Sequence, residues 1–262
     1  MNKAIVGVVK IKECWVLSVN KNNWSLWLPV LAVASLPLGR SVELFVIIMA
    51  GIGAYDLFKN HNDVRQNSAI KLFSLLFLLL WLPSVSSVVD AVNFDRTLKT
   101  SFSLIRFYFA GIFIINRLSS VDDHYKIAFG LTAIISFWAV DGWVQAALGT
   151  DLFGLHTAHA GRISGVFGEN ARLGLSIVPF VAVAILSMRQ KIGIYSALLV
   201  GLLLSATIFM SGDRAAWVSL VVVIIMLMSL YWKVIINLNT KYYLIGIIFL
   251  GMFCMALLSM PS

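Results

Sequence analysis

Two polar stretches interrupt a chain that is otherwise mostly apolar: AGRISGVFGEN at 160–170 and FMSGDRAAW at 209–217. Arg162, Arg172 and Arg214 each carry a guanidinium whose forked N–H donors match two oxygens of a phosphate. Gly161, Gly165 and Gly168 allow backbone conformations that other residues resist, and let the chain come close to a ligand. Asn170 stands where it would cap a following helix, whose N-terminus favours a nearby anion. The chemistry suggested is anion binding. The competing reading is a plain loop, with arginines meeting lipid headgroups and glycines ending helices. In the second stretch Asp213 and Arg214 are adjacent, so they need not pair with one another. Either the stretch completes a shared anion site, or Ser211 or Asp213 caps a helix whose Trp217 lies in the interfacial aromatic belt.

Charges inside apolar runs are costly and therefore candidates for function. Arg106 lies in SFSLIRFYFAG and Asp141 in ISFWAVDGWVQ, with Gln145 one turn further along the same helix face. Asp141 and Gln145 either make an Asp–Arg or Asp–Gln contact between packed helices, or line a polar cavity below Arg162. Arg106 either snorkels or meets a phosphate. His156 and His159 are three residues apart in HTAH, but no neighbouring carboxylate or cysteine completes a ligand set, so no metal is expected. Cys14 and Cys254 lie at opposite ends of the chain and suggest no disulfide framework. No nucleophile elbow, lysine-bearing phosphate loop or HExxH is present.

The elements that must position these residues follow from composition. Of 262 residues, 60% are hydrophobic and 12% charged, against roughly half and a quarter in a soluble domain. The bilayer must therefore serve as solvent, and an all-α polytopic membrane protein is expected. Continuous apolar runs without period-2 alternation argue against a β-barrel. Nine segments approach the ~20 apolar residues of a span: 24–39, 41–58, 69–90, 98–118, 125–148, 170–188, 192–212, 214–232 and 242–260. The first contains Pro29 and Pro37 and is expected to be kinked or re-entrant. The net charge of +8 comes from basic residues at the ends of apolar runs, which marks membrane lipids and not nucleic acid as partners.

With residues 1–23 as a cytoplasmic tail, thirteen of the twenty Lys and Arg residues fall on the cytoplasmic side. The segments 170–188 and 192–212 then form a hairpin whose RQK turn, 189–191, is cytoplasmic. That hairpin would bring Arg162 and Arg214 to one outer face. The domain plan is thus a tail, 1–23, and a helical membrane domain, 24–262, containing an external loop at 149–169. The ninth segment runs outward into SMPS with no polar tail, as a fragment would.

The ordered string VDGWVQAALGTDLFGLHTAHAGRISGVFGENARLG, followed by SGDRAAW, resembles the O-antigen ligase and polymerase superfamily of bacterial inner-membrane glycosyltransferases. The likeness covers residues 138–220 and elsewhere extends only to hydrophobic helices. It implies a protein of about twelve helices, each of ~20 apolar residues, with a large periplasmic loop after the ninth. It also implies transfer of a glycan from undecaprenyl diphosphate, with no metal or nucleotide sugar as cofactor. The ligase acceptor is lipid A–core oligosaccharide; the polymerase acceptor is another lipid-linked repeat unit. Arg162 and Arg214 match the family's two donor-diphosphate arginines, with Asp141, Gln145, Asn170, Arg172 and Asp213 as supporting candidates. The family's histidine is expected beyond residue 262, so no catalytic residue is assigned within the chain. This sequence reads GEN where many relatives place a proline before the asparagine. A transporter or flippase of lipid-linked sugars, or an inactive remnant, are the readings outside the transferase class.

Overall fold

The computed structural model describes residues 23–59, 67–118, 120–157, 161–170 and 172–230. The expected ninth segment, most of the N-terminal tail and His159 lie outside the described residues. Those residues form nine α-helices: α1 (Leu28–Ala34), α2 (Ser41–Lys59), α3 (Ser68–Ser86), α4 (Phe94–Ser103), α5 (Ile105–Arg117), α6 (Val121–Leu148), α7 (Leu173–Lys191), α8 (Ile194–Met210) and α9 (Arg214–Leu230). No strand occurs among them, only one isolated bridge between Thr150 and His156. Five segments are long and apolar enough to cross a membrane: α2, α3, α4 with α5, α6 and α7. Helices α8 and α9 are apolar but shorter, as is the segment Ser25–Ala34.

Three boundaries differ from the sequence expectation. The first segment is not one continuous helix: α1 is seven residues long, set between 3-10 turns at Asn23–Trp27 and Leu36–Leu38. Pro37 enters the second turn, and Gly39 at φ +68 reverses the chain there. The expected helix 98–118 begins earlier, at Phe94, and its ladder slips at Leu104, where Phe107 N donates only three residues back, to Leu104 O. Hydroxyls account for the slip. Thr97, Thr100 and Ser103 each donate to a carbonyl three or four residues earlier, which draws those carbonyls off the helix axis. The RQK stretch is the last turn of α7, where Arg189 and Lys191 suit the helix C-terminus. The reversal falls at Ile192–Gly193, with Gly193 at φ +132.

The chain divides into two compact units, residues 1–32 with 41–124, and 33–40 with 125–262. In the first, α2 packs against α5 so closely that a Cβ on Gly53 would strike the Phe109 carbonyl. Small residues at such crossings matter because lipid tails are as apolar as leucine, leaving close packing to hold helices together. An ion pair bridges each end of this crossing, Arg106–Glu43 at 3.5 Å and Arg117–Asp56 at 3.7 Å. Arg106, expected to snorkel or to meet a phosphate, has a carboxylate partner and lies over the Phe107 ring. Helix α3 joins through Trp81 Nε1, which donates to Ser101 O at 2.9 Å, and through paired Ser74 and Tyr108 hydroxyls.

In the second unit α7 and α8 form the expected hairpin, and α9 packs against both. Trp138, Leu173, Ile177, Leu204, Ile208 and Trp217 belong to its buried core. Thr132 and Ser187 share a buried hydroxyl hydrogen bond at 3.1 Å, tying α6 to α7. Every candidate site residue other than Arg106 belongs to this unit.

Candidate functional site

Helix α6 ends in the motif that organises the site. Gly149, at φ +81, donates its N–H to Gln145 O at 2.9 Å, a left-handed helix ending that glycine adopts without a Cβ clash. The chain then closes a tight ring. Asp151 Oδ1 accepts from Phe153 N at 2.9 Å and Leu155 N at 2.6 Å, while Asp151 N donates to Leu155 O at 3.0 Å. An aspartate that accepts from amides two and four residues on replaces the bonds a helix would have supplied. Asp151 was not singled out from sequence; its signal was an Asp flanked by Gly149 and Gly154, both of which take positive φ.

Asp141 and Gln145 hold this loop to α6. Asp141 Oδ1 accepts from Leu152 N at 2.9 Å. Gln145 Oε1 accepts from Ser164 N and Gly165 N, each at 2.8 Å, and its Nε2 donates to Leu155 O at 3.3 Å and Ser164 Oγ at 3.4 Å. Both side chains are buried. Among the described residues Asp141 Oδ2 is buried without a hydrogen-bond partner, while the partners of the other polar atoms are loop amides, a loop carbonyl and the Ser164 hydroxyl. The reason is that a loop brought back onto a helix end carries backbone donors that must be satisfied. Gly165 makes the approach possible. At φ +48, a Cβ there would stand 3.0 Å from Asp141 Oδ2 and 3.2 Å from Gly142 N.

The two polar stretches meet. Ile163 N donates to Met210 O at 3.1 Å, joining the 160–170 loop to the end of α8. The Arg162 side chain lies on Gly212, whose missing Cβ would stand 2.8 Å from Arg162 Cγ and 2.9 Å from Nε. Gly212, at φ +67, escaped the sequence reading; a glycine straight after an apolar run and before an aspartate was its signal. Beside it, Gly174 in the first turn of α7 packs against Ser211 and Ala216, so the N-terminal turns of α7 and α9 adjoin. Arg172 and Arg214 stand at those two helix starts.

Capping differs from expectation at one helix. Asp213 caps α9, its Oδ1 accepting from Ala215 N at 3.0 Å and Ala216 N at 3.4 Å. Asn170 does not cap α7. The N-cap position is Arg172, which has no side-chain capping bond, and Asn170 instead accepts from Arg172 N through its main-chain oxygen. Two further residues between Asn170 and the helix put its side chain out of reach of the first turn. Trp217 is 3% exposed, and its Nε1 donates to Ile208 O at 3.0 Å.

Arg162, Arg172 and Arg214 are exposed, and among the described residues none has a carboxylate partner. Three unpaired guanidinium groups beside two adjoining helix N-termini make an arrangement suited to a multiply charged anion. Among the described residues no group of three His, Cys, Asp or Glu could hold a metal ion, and His156 is exposed within the bridge to Thr150. No family model, curated protein or solved structure matches this chain.

Proposed function

We propose that the chain belongs to a membrane glycosyltransferase that moves a glycan from undecaprenyl diphosphate to the lipid A–core oligosaccharide, the reaction of an O-antigen ligase. The observation that carries the reading is the meeting of Arg162 with the SGDR stretch, which gathers unpaired arginines around two helix starts. In the reaction an acceptor hydroxyl oxygen attacks the anomeric carbon of the donor. The bond from that carbon to the phosphate oxygen breaks, and the diphosphate leaves with the electron pair. The hydroxyl proton passes to a base. Charge grows on the diphosphate as the bond breaks, so guanidinium donors fixed there stabilise the transition state more than the ground state. Arg162 and Arg214 hold the diphosphate, and Arg172 adds charge at the start of α7.

The same reading has nine spans in this chain, a cytoplasmic N-terminus in the bacterial inner membrane and a periplasmic donor site, supported by the Lys and Arg bias. An O-antigen polymerase would use this donor site equally and differ in acceptor. A transporter of lipid-linked sugars would draw on the intramembrane charges Arg106 and Asp141, and it has less support at Arg106, which is held by Glu43.

The test is glycan transfer in cells lacking their own ligase, read as O-antigen attached to lipid A–core. Removing a donor aimed at developing charge costs roughly a hundredfold or more in rate, so Arg162→Ala and Arg214→Ala in the full-length protein should each abolish visible attachment. Lysine at either position should restore only part of it, since an ammonium lacks the fork. A doubly substituted protein that still transfers glycan would refute the assignment.

A further inference from the structure

Resting on that reading of the site, we propose that Gln145 is its positioning residue: a neutral carboxamide, buried under the loop, sets where the Arg162 guanidinium stands. Gln145 is 1% exposed and sits in the last full turn of α6. Its oxygen takes the amides of Ser164 and Gly165, while its nitrogen reaches Leu155 O and Ser164 Oγ. Ile163 N is fixed from the other side by Met210 O. Three consecutive amides, 163 to 165, are thus held by two helix ends. Arg162 directly precedes them, with its side chain laid on Gly212.

The chemistry requires an amide. A carboxamide can accept two N–H bonds and donate two more from one buried side chain. A carboxylate accepts only and brings a buried charge, and a hydrocarbon does neither. Loops are mobile unless tied, and a binding group must be held within about 0.5 Å to act fully. Gln145 therefore acts on the anion through Arg162 and never touches it.

The experiment is arginine modification by phenylglyoxal on the whole chain in detergent, read residue by residue by mass spectrometry, with and without inorganic pyrophosphate. In the native protein pyrophosphate should shield Arg162, Arg172 and Arg214 together. In Gln145→Met the anion-free reactivity of Arg162 should change severalfold while that of Arg214 and Arg106 stays. Pyrophosphate shielding of Arg162 should fall by about tenfold, as expected when buried amides lose their acceptor. General unfolding would instead raise all the arginines at once.

Two milder variants decide the matter if Gln145→Met fails to fold. Gln145→Glu keeps the oxygen acceptor but loses both N–H donors and adds a buried charge, so it too should shift the reactivity of Arg162. Gln145→Asn withdraws the oxygen by one methylene and should release it. Native Arg162 reactivity in Gln145→Asn, or in a folded Gln145→Met, overturns the proposal. The diphosphate reading fails separately, if pyrophosphate shields no arginine of the native protein. In that case the anion-free reactivities still decide whether Gln145 places Arg162.

Discussion

At the scale of single residues, two glycines with similar backbones separate strain from function. Gly149 and Gly212 have φ of +81 and +67, so alanine at either carries the left-handed cost of roughly 1–2 kcal/mol. Around Gly149 a Cβ would meet nothing within 4 Å, whereas at Gly212 it would press on Arg162 Cγ, Nε and Cδ. Both substitutions should lower the denaturation temperature alike. Only Gly212→Ala should weaken pyrophosphate binding, by about tenfold or ~1.4 kcal/mol by titration calorimetry. Equal affinities in the two variants would separate Arg162 from the site. Trp217→Phe should cost only about 1 kcal/mol in unfolding free energy, because the Ile208 carbonyl keeps the Ser211 hydroxyl at 2.7 Å. The sequence made the arginines visible but not their supports. Unpaired charges in an apolar chain stand out by composition, whereas the bonds of Gln145 and Asp151 depend on where a loop folds back. The bond of Trp217 is hidden for the same reason, because the carbonyl that takes its N–H lies on another helix.

At the scale of elements, apolar length made the helices legible, and local chemistry shifted their ends. The segment 41–58 is nearly α2, and 125–148 lies within α6, because continuous apolarity in a bilayer leaves the helix as the solution that satisfies the backbone. The slip at Leu104 was not legible, since it arises from three hydroxyls in competition with the ladder and not from proline or glycine. Between α7 and α9 the decisive contact is Gly174, where a Cβ would strike the Ser211 hydroxyl and stand 3.2 Å from Ala216 Cβ. Gly174→Val should therefore force the two helix starts apart. The expected result is loss of pyrophosphate binding together with overpacking of about 1–3 kcal/mol. Intact binding at lowered stability would show that adjoining N-termini are not needed.

For the whole molecule, the helix hairpin makes a testable statement about sides. With Cys14 and Cys254 replaced by serine, a single cysteine at the exposed Glu169 should react with a membrane-impermeant maleimide on intact cells. One at the exposed Gln190 should react only after permeabilisation. The reverse pattern would invert the proposed orientation, and labelling of both from outside would break the hairpin topology. Burial is spread unevenly over the spans: 6% of the most apolar window of α3 is buried, against 39% in α6 and α7. Along α3, Leu72, Leu75, Leu79 and Leu80 are exposed, so those positions ask only for an apolar side chain of any shape. Along α7, Gly174, Ile177, Val181 and Ala184 are enclosed, and each admits little but the residue it has. Mutation over generations would thus rewrite α3 freely while leaving α7 nearly fixed, and the ancestry of this chain would be best preserved in the helix behind its arginines.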